Sequence, residues 1–112
     1  MAKTRRNLKK MDTKEQVLRD VFGFSGFRGG QEELIDGILA GRDVLGIMPT
    51  GGGKSLCYQV PGLVMEGVTL VISPLISLMR DQVMALKNAG VSAAYVNSSL
   101  TPNQIRLVYQ NI

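Results

Sequence analysis

The sequence predicts an α/β fold, a parallel sheet with flanking helices, and three observations carry that expectation. Short apolar or β-branched runs at 43–47, 68–73 and 92–97 alternate with helical segments. Strand, helix, strand, helix, strand, helix is the order of parallel sheets built with right-handed crossovers. The third observation is a glycine triplet, Gly51, Gly52 and Gly53, at the first strand-to-helix junction. Three strands are few for a doubly wound sheet, and the chain stops on a helical segment, so the expectation is an incomplete domain.

The elements follow in order. Residues 12–22, DTKEQVLRDVF, set Val17, Leu18, Val21 and Phe22 at helical spacing, with Asp12 or Thr13 as N-cap. GFSGFRGG, at 23–30, reads as a loop. In 31–40 the residues Leu34, Ile35, Ile38 and Leu39 share one face, and Gly41 is a natural stop. DVLGI at 43–47 is a short buried strand leading into the glycines, and 54–65 is a helix whose pattern is interrupted at Pro61. VTLVIS at 68–73 has the β-branched character of a strand covered on both faces, and Pro74 closes it. Leu75, Leu78, Met79, Val83 and Leu86 stripe a helix over 75–90 that ends at Gly90. SAAYVN at 92–97 is a weaker strand, and Thr101 with Gln104 forms a capping-box signature for a last helix.

A chain of 112 residues and 45% hydrophobic content fits one domain. No apolar run approaches the roughly 18 residues of a membrane span, and no apolar stretch follows the basic N-terminus as in a secretory signal. Cys57 is the only cysteine, so no internal disulfide forms, which fits a reducing cytoplasm. The absence of histidine excludes histidine-based catalysis and the usual zinc sites. The net charge of +4 is local: Lys3, Arg5, Arg6, Lys9 and Lys10 precede the first acid, Asp12. Without residues 1–10, 8 basic residues face 9 acidic ones. That leader reads as a solvated, disordered tail, in part start-site excess since Met11 could also initiate, or alternatively as an arm on phosphate backbones.

A loop that grips phosphates needs inward-pointing N–H groups, a backbone open to glycine, and a helix N-terminus facing the anion. MPTGGGKS, from Met48 to Ser55, meets these needs, with Pro49 stiffening its entry. Lys54 would place its ammonium on the β- and γ-phosphates, and the Ser55 hydroxyl would coordinate Mg²⁺. The pattern G-x-x-x-x-G-K-[ST] holds at Gly53-Lys54-Ser55 but has Met48 where it asks for glycine. The plain reading is a glycine-rich turn with an exposed lysine.

MPTGGGKSLCYQVP closely resembles motif I of the RecQ-type DNA helicases of superfamily 2, in which methionine is familiar at the first loop position. GFSGFRGGQ resembles their motif 0, an aromatic-x-x-Phe-Arg-x-x-Gln element, VISPLISLMRDQV is similar to motif Ia, and VNSS to the short segment after it. The resemblance spans residues 11–112, with 1–10 as the basic leader. It implies an incomplete P-loop NTPase of RecA-like fold, using ATP and Mg²⁺, from a 3′→5′ DNA helicase of repair and recombination in the cytoplasm or nucleoid.

By the same resemblance Thr50, Gly51, Gly52, Gly53, Lys54 and Ser55 hold the phosphates, and Gln31 reads the adenine edge. Phe24 would lie on the base and Arg28 approach the nucleotide, whereas core packing is the competing role of Phe24 and Phe27 and a surface ion pair that of Arg28. Ser73, Pro74, Leu75, Ser77, Gln82, Asn97 and Ser98 would contact DNA, single-stranded or at duplex junctions. Each of them also has an ordinary capping role.

Phosphoryl transfer to water also needs a metal-bound carboxylate, a group orienting the water and usually an arginine finger. The family carries the first two on an Asp-Glu-x-His strand and the arginine on a second RecA-like domain. None of the nine acids here occupies such a strand, so this chain by itself is expected to be inactive. The rival readings are another P-loop NTPase, which has no reason to carry Gln31 upstream of Lys54, and a non-catalytic nucleotide- or DNA-binding module.

Overall fold

The computed structural model describes residues 2–3, 13–49 and 53–112. Among these lie β1 (Ala2–Lys3), α1 (Lys14–Asp20), α2 (Gln31–Leu39), α3 (Leu56–Val64), α4 (Ile76–Asn88), β2 (Ser92–Ala93) and α5 (Pro102–Gln110). They fall into two compact units: one, ending at Glu66, holds α1 to α3, and one, from Gly67 to Ile112, holds α4, β2 and α5 together with β1.

In the first unit α3 packs on both α1 and α2. Thr13 is the N-cap of α1 in a reciprocal capping box: its hydroxyl accepts from the Gln16 N–H at 3.2 Å, and the Gln16 amide oxygen accepts from the Thr13 N–H at 2.9 Å. The alternative cap, Asp12, lies outside the described residues. Val17, Leu18, Ile35, Val60 and Leu63 form the buried core, as their helical spacing requires. At the end of α2 the Gly41 N–H donates to the Ile38 carbonyl and the Arg42 N–H to the Gly37 carbonyl. That pair of bonds is the Schellman motif, and it needs the left-handed backbone that Gly41 supplies at φ +82°. Segment 43–47 then lies close along α2, because a Cβ on Gly37 would sit 2.7 Å from Val44 Cγ1 and one on Gly46 would collide with Leu34.

Pro61 does not interrupt α3. It is buried inside the helix, which continues to Val64 before Met65 takes an extended conformation. Burial between two packed helices outweighs the one backbone bond that proline cannot donate.

In the second unit α4 packs on β2, and Val83, Leu86 and Val91 are its buried apolar residues. The expected α4 stripe is buried only in its second half, since Leu75 and Leu78 are exposed. α4 closes through the same bond pair as α2, from Gly90 N–H to Lys87 and from Val91 N–H to Leu86. α5 starts from the expected capping box of Thr101 and Gln104 and has no buried residue.

The parallel sheet is not what the described residues form. Their one ladder is antiparallel, pairing Ala2 with Ala93 and Lys3 with Ser92. Segment 43–47 has no regular structure, 68–73 contributes only an isolated bridge residue at Thr69, and the third expected strand shrinks to Ser92–Ala93. A strand's N–H and C=O groups are satisfied only by a neighbouring strand, so an apolar run without such a neighbour does not register as sheet. Leu45, Ile47 and Ile72 are accordingly 86%, 90% and 88% exposed.

Candidate functional site

The loop between α1 and α2 and the segment before α3 line one cleft of the first unit, about 890 Å³ in volume. Phe24 and Arg28 come from the first loop, Gln31 from the start of α2, and Met48, Pro49 and Gly53 from the second segment. This size suits a small-molecule ligand. Phe24 is 46% exposed on the cleft wall, so it is not a core residue, while Phe27 is half-buried.

Gln31 joins the two segments. It opens α2, is buried to 3% exposure, and is the one buried polar side chain among the described residues. Its amide oxygen accepts from the Arg28 N–H at 2.8 Å, and its amide nitrogen donates to the Gly53 carbonyl at 3.1 Å. A buried amide without partners would cost about 1–3 kcal/mol, so these bonds fix the side chain between loop and turn. The Gly53 carbonyl also accepts from the Leu56 N–H at 3.3 Å, which ties Gln31 to the turn preceding α3.

That turn is tight, with Cys57 N–H on the Lys54 carbonyl at 3.1 Å and Tyr58 N–H on the Ser55 carbonyl at 3.3 Å. Gly53 has φ +74°, and a Cβ there would collide with the Gln31 amide nitrogen. Lys54 is exposed beside the helix start, and Ser55, the N-cap of α3, makes no side-chain capping bond. A backbone that excludes a Cβ and a helix start that the Ser55 side chain does not cap fit an anionic group and its metal counter-ion. Thr50, Gly51 and Gly52 lie outside the described residues.

Two features of this unit were not legible beforehand. Cys57 Sγ lies 3.8 Å from Met48 Sδ, so the methionine at the loop's atypical first position packs on the buried thiol, whose pKa is raised by desolvation. Lys14 bonds Asp36 and reaches Glu32 at 2.9 Å, with its ammonium 6.0 Å from the centre of the Phe27 ring. Those hydrogen bonds, to Asp36 first and Glu32 second, raise the Lys14 pKa above its usual value. A lysine at a helix start carries no sequence signal for this arrangement.

The expected DNA-contacting residues all lie in the second unit. Ser73 Oγ accepts from the Leu75 N–H at 3.2 Å in a local turn around Pro74, and Leu75 is the N-cap of α4 without a side-chain bond. Ser77 is exposed in the first turn of α4, and Gln82 is half-buried further along it. The Asn97 side chain accepts from the Ser99 N–H at 2.8 Å and lies 3.8 Å from Met79 Sδ on α4, so Asn97 is drawn to the helix that carries Ser77 and Gln82. Ser98 is exposed beside it. Ser73 and Asn97 thus make local turn bonds, and the sheet edge expected to align the set is absent among the described residues.

Residues 28–111 match the family described as DEAD/DEAH box helicase. The chain is 64% identical over 85 residues to the ATP-dependent DNA helicase RecQ of Pasteurella multocida, an alignment covering 76% of this chain and 13% of that protein. It is 54% identical over 96 residues to the ATP-dependent DNA helicase RecQ of Haemophilus influenzae, covering 86% of this chain and 16% of that one. The probable ATP-dependent DNA helicase RecS of Bacillus subtilis is 48% identical over 99 residues, covering 88% and 20% respectively. The chain therefore spans between 13% and 20% of the length of these relatives.

Proposed function

Since this chain belongs to the DEAD/DEAH box helicase family, we propose that it is the ATP-gripping portion of an ATP-dependent 3′→5′ DNA helicase of RecQ type, acting in DNA repair and recombination. The observation that carries the reading is the Gln31 side chain, held at once by the Arg28 backbone and by the Gly53 carbonyl of the phosphate loop. A generic phosphate loop has no use for a buried amide on its last glycine. An adenine reader does, because an amide offers donor and acceptor side by side, as the adenine edge does, and base entry would exchange the bonds to Arg28 and Gly53 for bonds to the base.

In this reading Phe24 stacks on the base from the cleft wall and Arg28 approaches the nucleotide from the same loop. The backbone N–H groups of Thr50, Gly51, Gly52 and Gly53 are the proposed phosphate donors, and Lys54 carries the charge to the β- and γ-phosphates. The Ser55 hydroxyl would hold Mg²⁺, which would offset the charge of the phosphates. Ser73, Pro74, Leu75, Ser77, Gln82, Asn97 and Ser98 contact the DNA backbone from the second unit, where α4 starts without a side-chain cap. The setting is the cytoplasm or nucleoid.

Thermal unfolding with and without nucleotide tests the assignment. Mg·ATP is expected to raise Tm and Mg·GTP not to, and Gln31→Ala is expected to remove the difference. Equal shifts with both nucleotides would reduce the site to a phosphate binder, and no shift with either would make the chain an inert module.

A further inference from the structure

Lys14 bears on the adenine-reading loop, although it lies outside the loop and outside the cleft lining. It is the first residue of α1, and the capping box of Thr13 and Gln16 fixes the backbone it stands on. Its side chain is 16% exposed and gathers three groups: the carboxylates of Glu32 and Asp36, and the face of Phe27 at 6.0 Å. Phe27 lies inside the loop, and Glu32 immediately follows Gln31 in α2, so one ammonium contacts the chain on both sides of the reading residue. The distance over Phe27 is at the outer limit of a cation–π contact, and the carboxylates make the stronger part of the grip.

Electrostatics point the same way. The first turns of α2 carry Glu32, Glu33 and Asp36, and Glu33 lines the cleft that would receive a polyanionic triphosphate. Lys14 pairs with Glu32 and Asp36, the two that lie beside the cleft lining and not in it. Both partner carboxylates are half exposed, at 51%, and ion pairs so exposed contribute little to global stability. The grip is therefore better suited to setting the loop's geometry than to holding the fold together.

We propose that Lys14 is a positioning residue for base selectivity, holding the segment from Phe27 to Glu32 so that the Gln31 amide faces the base. The inference rests on the reading of Gln31 given above. Its test is the affinity of the full chain for Mg·ATP, Mg·GTP and inorganic tripolyphosphate, compared among wild type, Lys14→Ala and Lys14→Arg. Lys14→Ala is expected to lower the ATP-over-GTP preference about tenfold while leaving tripolyphosphate affinity in place, and Lys14→Arg to restore the preference. An unchanged preference in Lys14→Ala overturns the inference, as does an equal loss for ATP and tripolyphosphate in a chain with wild-type circular dichroism. Should Lys14→Ala fail to fold, Lys14→Met, which keeps an unbranched stem over Phe27, replaces it with the same expected and overturning results. A wild type that does not distinguish ATP from GTP brings down the Gln31 reading and this inference with it, whereas a wild type that does, beside a Lys14→Ala that still does, brings down this inference alone.

Discussion

Gly53 concentrates most of what is demanded of single residues here. Its φ of +74° lies where L side chains are strained by roughly 1–2 kcal/mol, and any Cβ would collide with the Gln31 amide. Gly53→Ala is thus expected to lower both thermal stability and nucleotide affinity, with the loss of affinity exceeding that of Gln31→Ala. A calorimetric titration with Mg·ATP checks it, and wild-type affinity in Gly53→Ala would mean that the loop does not hold the phosphates in this backbone conformation. Glycine, lysine and glutamine at that spacing named the candidate residues from the sequence, and of these Gln31 and Gly53 line one cleft among the described residues. Lys14 was not legible, because its partners lie 18 and 22 positions away on another helix, and a pairing at that separation leaves no local pattern.

Helices were the elements best read from the chain, and their ends most sharply. Thr13 with Gln16 and Thr101 with Gln104 form the reciprocal bonds that Thr-x-x-Gln encodes, and Gly41 and Gly90 close α2 and α4 where their apolar spacing stops. Thr101→Ala removes the bond to the Gln104 N–H, and a lost N-cap is worth about 1 kcal/mol. As α5 has no buried residue to compensate, that loss is expected to appear as fraying of α5, read as faster amide hydrogen exchange at 104–107 than in wild type. Unchanged exchange there would mean that packing, not the cap, starts the helix. Strands were read less well. VTLVIS has the composition of a buried strand, but composition supplies no partner, and Leu70 and Ile72 stay 67% and 88% exposed. Pro61 failed as a helix breaker for a related reason, since its tolerance is decided by what α3 packs against.

For the whole chain, the prediction concerns turnover, which depends on where its carboxylates lie. The acids beyond the phosphate loop are Glu66, in the bend after α3, and Asp81, exposed within α4. We therefore expect the 112-residue chain to bind Mg·ATP without hydrolysing it, with phosphate release indistinguishable from a Lys54→Ala control with or without single-stranded DNA. DNA-stimulated turnover would place the missing carboxylate function on a residue of this chain. What the amino-acid order determined by itself is the helix ends and the tight turn at Gly53, because these depend on contacts within a few positions. Only the tertiary structure decided that Gln31 reaches the Gly53 carbonyl, that Lys14 bridges α1 to α2, that α3 runs through Pro61, and that the apolar runs at 43–47 and 68–73 stand outside any regular ladder. Each of these depends on groups far apart in the chain, and only packing brings such groups together or leaves them without a neighbour.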